Sequence, residues 1–254
     1  MRLVSKIKIL IAVFCINMTC GATTLKQRVD RLYNNMSLAE RVAQLRSVYM
    51  SELFTPDGKL DENKCRNLIP YGIGHVSQFA MDLGKSPDEQ RDMVARLQKW
   101  LIENTPNKIP ALVHEEVLSG VNALDATVYP QQIGMACTWN TELAEKKTRL
   151  TAAALRAMGG TLALSPMVDV VRNPSFNRLE ESYGEDGYLS AVMGVAFVRG
   201  LQMGGNLHEG VAACTKHFLG YGGGANAPEK ELMEDILLPH EAIIRLAGSQ
   251  VVMT

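Results

Sequence analysis

The sequence predicts an α/β fold built on a parallel sheet that curls into a (β/α) barrel, and three observations predict it. Apolar segments of strand length alternate with helix-length segments along most of the 254 residues. The strand-length segments are apolar on both faces, as strands covered by helices are. Several of them run at their C-terminal edge into charged residues, which is where the active face of a barrel lies. No G-x-G-x-x-G or P-loop opens any helix, so an open, nucleotide-binding doubly wound sheet loses its main support.

Taken in order, MRLVSKIKILIAVFCINMTCGA sets Arg2, Lys6 and Lys8 before an apolar stretch and then small residues, the layout of a secretory signal peptide over 1–22. The stretch is too short to span a bilayer. Cleavage after Ala22 is the expectation, with lipidation at Cys20 as the alternative. The domain 23–254 then keeps Cys65, Cys137 and Cys214, an odd and widely spaced set that reads as thiols rather than a disulfide framework or a metal site.

Ser37-Leu38-Ala39-Glu40 has the form of a capping box and opens an expected helix over 37–50, with Leu38, Val42, Leu45 and Tyr49 at helical spacing. GIGHVSQF reads as a strand, SPDEQRDMVARLQKWLIEN as a helix capped at Ser86, and IPALVHEE as a strand. TELAEKKTRLTAAALRAMGG is a helix stopped by Gly159-Gly160, TLALSPMVDV a strand, and YLSAVMGVAFVRGLQ a helix. VAACTKHF and SQVVMT are strands again.

With 46% hydrophobic and 21% charged residues the chain is globular, and its net charge of −1 gives no cationic field for a polyphosphate. No basic run interleaved with aromatics speaks for a nucleic-acid groove. No cofactor or metal is expected.

Three places carry chemistry. Glu116, in ALVHEEVLSGV, reads either as a dipole partner at the start of an apolar helix or as a carboxylate accepting from vicinal hydroxyls. Arg178, in VRNPSFNRLEESYGED, reads as a loop salt bridge or as a planar fork holding a carboxylate and a ligand hydroxyl. Lys216 and His217 end an apolar strand, where an unpaired ammonium costs several kcal/mol, so the lysine needs a partner. Asp169 and Arg172 also mark a strand end, whereas His75, His208 and His240 stand isolated and are read without a role. GYGGG exposes amides but lacks phosphate-loop spacing.

KHFLGYG resembles the Lys-His-Phe-x-Gly-x-Gly signature of the family 3 glycoside hydrolases, and NPSFNRLEESYGEDGYL resembles their Asp-Pro-x-Trp-Gly-Arg-x-x-Glu-x-Tyr-Gly-Glu-Asp segment. IPALVHEEVLSGV with ATVYPQQIGMACTWN is similar to a third block of that family, and MSLAERVAQL to its N-terminal helix, all in the right order over 36–254. Three departures stand out. Phe176-Asn177-Arg178 replaces Trp-Gly-Arg, GGANAPEKE has no arginine, and the Asp-His pair of the hexosaminidase branch is missing.

The resemblance implies an exo-acting, retaining β-glucosidase or β-xylosidase, periplasmic or secreted, acting on an oligosaccharide or β-glycoside. It implies a (β/α)8 barrel of TIM type, incomplete at the C-terminus, joined in family members by an α/β sandwich domain. Glu116 would bind the sugar's outer hydroxyls, Arg178 would orient it, and Lys216 and His217 would grip hydroxyls nearer the reacting end. Family members place non-proline cis peptides after that Lys and that His, so that neighbours on one strand face one pocket. The nucleophile, an aspartate on a later strand, is expected beyond Thr254, which leaves this chain inactive alone. Two other readings stay open: a lyase or aldolase using Lys216 as a Schiff base, and a non-catalytic carbohydrate-binding domain.

Overall fold

A computed structural model describes residues 23–77, 84–224 and 226–254. The expected leader over 1–22 lies outside them. The chain divides into two compact units, Met1–Arg41 and Val42–Thr254. In the first, Thr24 caps the helix Leu25–Asn35, and Ser37 with Glu40 forms the expected capping box: the Glu40 carboxylate accepts from the Ser37 N–H at 2.6 Å. Among the described residues no helix is long and apolar enough to cross a membrane.

The second unit is built on a curled parallel sheet of six strands: β1 (Ser47–Tyr49), β2 (His75–Ser77), β3 (Leu112–Glu115), β4 (Leu162–Ala163), β5 (Ala212–Lys216) and β6 (Val251–Met253). Each strand pairs with the next in sequence. A doubly wound sheet must reverse its strand order somewhere, and this one does not. Where every strand neighbours the next, crossovers of the one hand that such units follow collect the helices on one side of the sheet. Val48, Val76 and Val113 are register partners and all are buried, so one stripe of the sheet is sealed against that layer.

The longer helices sit close to their expected places. Pro87–Asn104 starts at Ser86, whose N–H donates to the Glu89 carboxylate at 2.8 Å, and it buries Met93, Leu97 and Leu101. Thr141–Ala157 stops before Gly159, whose φ of 92° is a left-handed conformation suited to glycine. Gly187–Leu201 is capped by Asp186 and buried on nearly every face, between its neighbours Thr141–Ala157 and Leu238–Ala247.

Two expectations fail. The helix over 37–50 ends at Ala43, and Ser47–Tyr49 is strand β1 instead. The periodic residues Leu38, Val42, Leu45 and Tyr49 are all exposed, while Val48, between them, is buried against β2. Sheet pairing of a β-branched and an aromatic residue outweighs a helix propensity worth a few tenths of a kcal/mol per residue. The strand over 161–170 is regular only at Leu162–Ala163; Pro166 has no N–H for the ladder, and beyond it the Ser165 and Pro166 carbonyls still accept from the Cys214 and Lys216 N–H groups. Its continuation rejoins the sheet at Met167, which bridges Lys216.

Candidate active site

The ends of β3 and β5, with the segment after β4, bring the four candidate residues together. Glu116 follows the last residue of β3, and Lys216 is the last residue of β5. The Lys216 ammonium donates to both oxygens of Glu116, at 2.6 and 2.7 Å. Lys216 is 1% exposed and Glu116 32%, so the pair runs from the core to the edge of an opening. The partner that the sequence demanded for Lys216 is therefore a carboxylate. No helix begins at Glu116; the chain from 116 to 131 is a loop, and the dipole reading of this acid falls.

That loop is fastened from beneath. Val117 donates its N–H to Ser165 Oγ at 3.2 Å, and the buried Lys147 donates to the carbonyls of Leu118 and Pro130 at 2.6 and 2.9 Å. Burial pushes the Lys147 ammonium down to about 8. Lys147 gave no signal in the sequence, since it sits among the exposed-looking lysines of AEKKTR.

Arg178 holds Glu181 with two parallel bonds, Nε to Oε1 at 2.9 Å and Nη2 to Oε2 at 2.5 Å. These bonds hold its guanidinium charged more firmly than usual. Its remaining arm, Nη1, meets His217 Nε2 at 3.3 Å. The loop salt bridge is therefore present, and the third nitrogen of the fork faces His217. His217 Nδ1 lies 2.8 Å from Asp169 Oδ2, a side chain with no exposure. The ring of Tyr221 stands edge-on to His217 at 4.7 Å and to Phe176 at 5.4 Å.

The peptide between Lys216 and His217 is cis, as the resemblance implied. The second cis bond is one residue later than implied, at Phe218–Leu219. Glu116, Arg178 and Glu181 line a cavity of about 340 Å³ with Leu118, Asn122 and Gln131. Lys216 and His217 stand behind this wall, each bonded to one of its residues. All four candidates are therefore at one place, at the C-terminal ends of the strands.

Arg172 is elsewhere: it pairs with Asp235 and Glu231. Asp169, Glu181 and Tyr221 were not given a role by the sequence. Asp169 had a signal, an acid among Met167, Val168, Val170 and Val171, all of them buried. Within GYGGG, Gly222 serves close packing, since a Cβ there would fall 3.2 Å from that of Asp169 and 3.0 Å from a methyl of Val171. His75 is not isolated in space, because its ring meets His114 edge-on at 5.7 Å. His240 is fully buried against Phe218, and burial pushes its imidazole down to about 4.

The family model described as the glycosyl hydrolase family 3 N-terminal domain matches residues 37–254. A beta-xylosidase of Formosa agariphila is 40% identical over 195 residues, covering 70% of this chain and 26% of that protein. The lysosomal beta glucosidase of Dictyostelium discoideum is 31% identical over 209 residues, covering 76% and 26%. Among solved structures, a β-glucosidase from Erythrobacter marinus superposes with a TM-score of 0.79 at 29% identity, covering 89% of this chain and 31% of its own. The β-glucosidase of Listeria innocua gives 0.74 at 28% identity, covering 91% and 33%. The chain thus spans about a quarter to a third of the length of these relatives.

Proposed function

Because the chain belongs to glycosyl hydrolase family 3, through that family's N-terminal domain, we propose that it forms the sugar-binding part of an exo-acting, retaining β-glucosidase or β-xylosidase. The observation that carries the reading is that Glu116 and Arg178 line one cavity at the strand ends, each bonded from behind, by Lys216 and His217. A carboxylate held by an ammonium, facing an opening beside a guanidinium, is suited to a ligand rich in hydroxyls. The acid accepts and the fork donates, and a sugar hydroxyl does both.

The three acids at the site each have a donor already: Glu116 has Lys216, Asp169 has His217, and Glu181 has Arg178. Such acids are suited to binding and orientation. Retaining cleavage needs two further carboxyl groups about 5 Å apart, and we assign the nucleophile to an aspartate after the strand that SQVVMT resembles. The same reading closes the sheet into a (β/α)8 barrel, adds an α/β sandwich domain, and sends the protein to the periplasm or outside, with cleavage after Ala22 or lipidation at Cys20. The Schiff-base alternative loses ground, because Lys216 directs its protons at a carboxylate 2.6 Å away and such a nucleophile must be a neutral amine.

Titrating the 254-residue chain with methyl β-xyloside and methyl β-glucoside tests the proposal. We expect saturable binding that Arg178→Met and Glu116→Met each weaken by about tenfold or more, the loss of one charge-assisted hydrogen bond. Folded protein that binds neither sugar would overturn it.

A further inference from the structure

The loop from Glu116 to Gln131 forms much of the cavity wall, and those two residues stand at its opposite ends. Each end is anchored separately to the chain that follows β4. Val117 donates its N–H to Ser165 Oγ at 3.2 Å, and Gln132 Nε2 donates to the Met167 carbonyl at 2.7 Å. The two arms of the loop are joined where the Tyr129 N–H donates to the Ser119 carbonyl at 2.8 Å. One residue closer to the ends, the backbone cannot repeat that bond. Residue 130 is a proline without an N–H, so it has no donor for the carbonyl of Leu118.

The Lys147 ammonium stands at that place. Its Nζ donates to the carbonyls of both Leu118, at 2.6 Å, and Pro130, at 2.9 Å, so two groups that can only accept share one donor. The same nitrogen lies over the ring of Phe197, 5.8 Å from the centroid, where the ring face attracts a cation. Lys147 is 5% exposed, and among the described residues no carboxylate pairs with it. A cation so deeply buried is costly unless its protons are met. The acceptors that meet them here are the two arms of one loop.

We propose that Lys147 is a positioning residue for the cavity: by tying the carbonyls of Leu118 and Pro130 to one nitrogen it sets the spacing between Glu116 and Gln131, and with it the affinity for the ligand. That the ligand is a sugar rests on the glycosidase reading; the clamp does not. Without the ammonium the two carbonyls lose their common donor, repel each other and part. The walls move with them, since Leu118 lies two residues after Glu116 and Pro130 adjoins Gln131. The helix Thr141–Ala157 thereby acts on a cavity that none of its own residues lines.

Two measurements decide this. In spectra of the ¹⁵N,¹³C-labelled chain at about pH 6, where a lysine is an ammonium, the Lys147 Nζ protons are assigned through the side-chain carbons. We expect them to exchange with water far more slowly than those of the exposed Lys146, and to show contacts to Leu118 and Pro130. Exchange as fast as at Lys146, or no such contacts, overturns the inference from the wild type alone, whether or not any variant folds.

The second measurement compares Lys147→Met with Leu97→Ala, a control that loosens the core from the helix Pro87–Asn104. In Lys147→Met the backbone signals of Glu116 and Gln131 should move, and methyl β-xyloside should bind about fivefold or more weaker than to wild type, the loss of one hydrogen bond's restraint. Leu97→Ala should leave both readouts in place. Unmoved signals in Lys147→Met, wild-type affinity in that variant, or an equal loss in the control overturns the positioning role. If the wild type itself binds no sugar, the glycosidase reading falls, and the Nζ protons and the two backbone signals decide the clamp by themselves.

Discussion

Replacing either partner of the Lys216–Glu116 pair strands the other, and their exposures of 1% and 32% make the two costs unequal. In Glu116→Met the ammonium stays in a dry setting without a counter-charge, and breaking a buried pair in this way costs about 3–5 kcal/mol. A ceiling on that figure comes from the proton. A lysine that gives it up at pH 7 does so at a cost of about 4.6 kcal/mol, the gap to a reference of about 10.4 taken at roughly 1.36 kcal/mol per unit. In Lys216→Met the stranded carboxylate is still a third open to water, and methionine fills the space of the lysine stem, so the cost should be about 1 kcal/mol. The double substitution should lie within about 1 kcal/mol of wild type, since apolar replacement of a whole buried pair is often neutral.

Urea unfolding of the four proteins at pH 7 and pH 9 closes the cycle. For a domain of this size the Glu116→Met loss corresponds to a fall in Tm of roughly 6–20 °C. The proton of the stranded lysine is bound more readily by the unfolded chain, so stability of that variant rises with pH. At pH 9 the ceiling is about 1.9 kcal/mol and the deficit should shrink, while that of Lys216→Met stays put. Refutation is simple: Lys216→Met costs as much as Glu116→Met, or the Glu116→Met deficit is the same at both pH values.

Three other outcomes follow from the same geometry. Because burial holds the His240 imidazole down near 4, below its ordinary 6.5, the unfolded chain takes up the proton first as pH falls. Its contribution is intact above about pH 6.5 and lost toward pH 4, an amplitude of about 3 kcal/mol; His240→Leu should flatten the acid limb of urea midpoints, and an unchanged slope would contradict this. Lys147→Met removes both donors from the Leu118 and Pro130 carbonyls, so amides in the loop 117–130 should exchange faster by about fivefold per lost bond of ~1 kcal/mol; unaltered protection would mean that the loop is held by other contacts. In an active enzyme carrying this chain, Glu116→Asp should lower the ratio of kcat/KM for aryl β-xyloside over β-glucoside, because the shorter acid frees the space of a hydroxymethyl group. One methylene is worth about 1–3 kcal/mol in such discrimination, and an unmoved ratio would mean that Glu116 does not select the sugar.

The alternation of elements was legible because each is decided locally. Ser86 and Glu89 cap their helix across three residues, and Gly159 ends another with its own φ. The stretch 37–50 misled for a physical reason: whether Val48 or Leu45 is buried depends on β2, which lies far ahead in the chain. At the site, residue types pointed to chemistry but not to partners. Nothing around Lys216 names Glu116, and only the family motifs put both in one pocket. Asp169 was visible as an acid in an apolar run, yet its bond to His217 depends on how β5 ends beside the chain that follows β4. Lys147 could not be singled out among neighbouring lysines, because its burial comes from the loop folded over it.

The distance along the chain between the partners has a consequence for how the pocket comes and goes. Glu116 and Lys216 are 100 residues apart, and Asp169 and His217 are 48 apart. Closing loops of that length costs chain entropy before any contact returns it, so these bonds form late, after β3, β4 and β5 have zipped together. The pocket is therefore a readout of the whole assembly and not of any one segment. A sugar that fits it can bind only the closed chain, and at a hundred times its Kd it would deepen the folded state by about 2.7 kcal/mol. Amides of β5 that exchange only through global opening should slow by about a hundredfold with ligand, while the helix Leu25–Asn35, with no buried residue, should not respond.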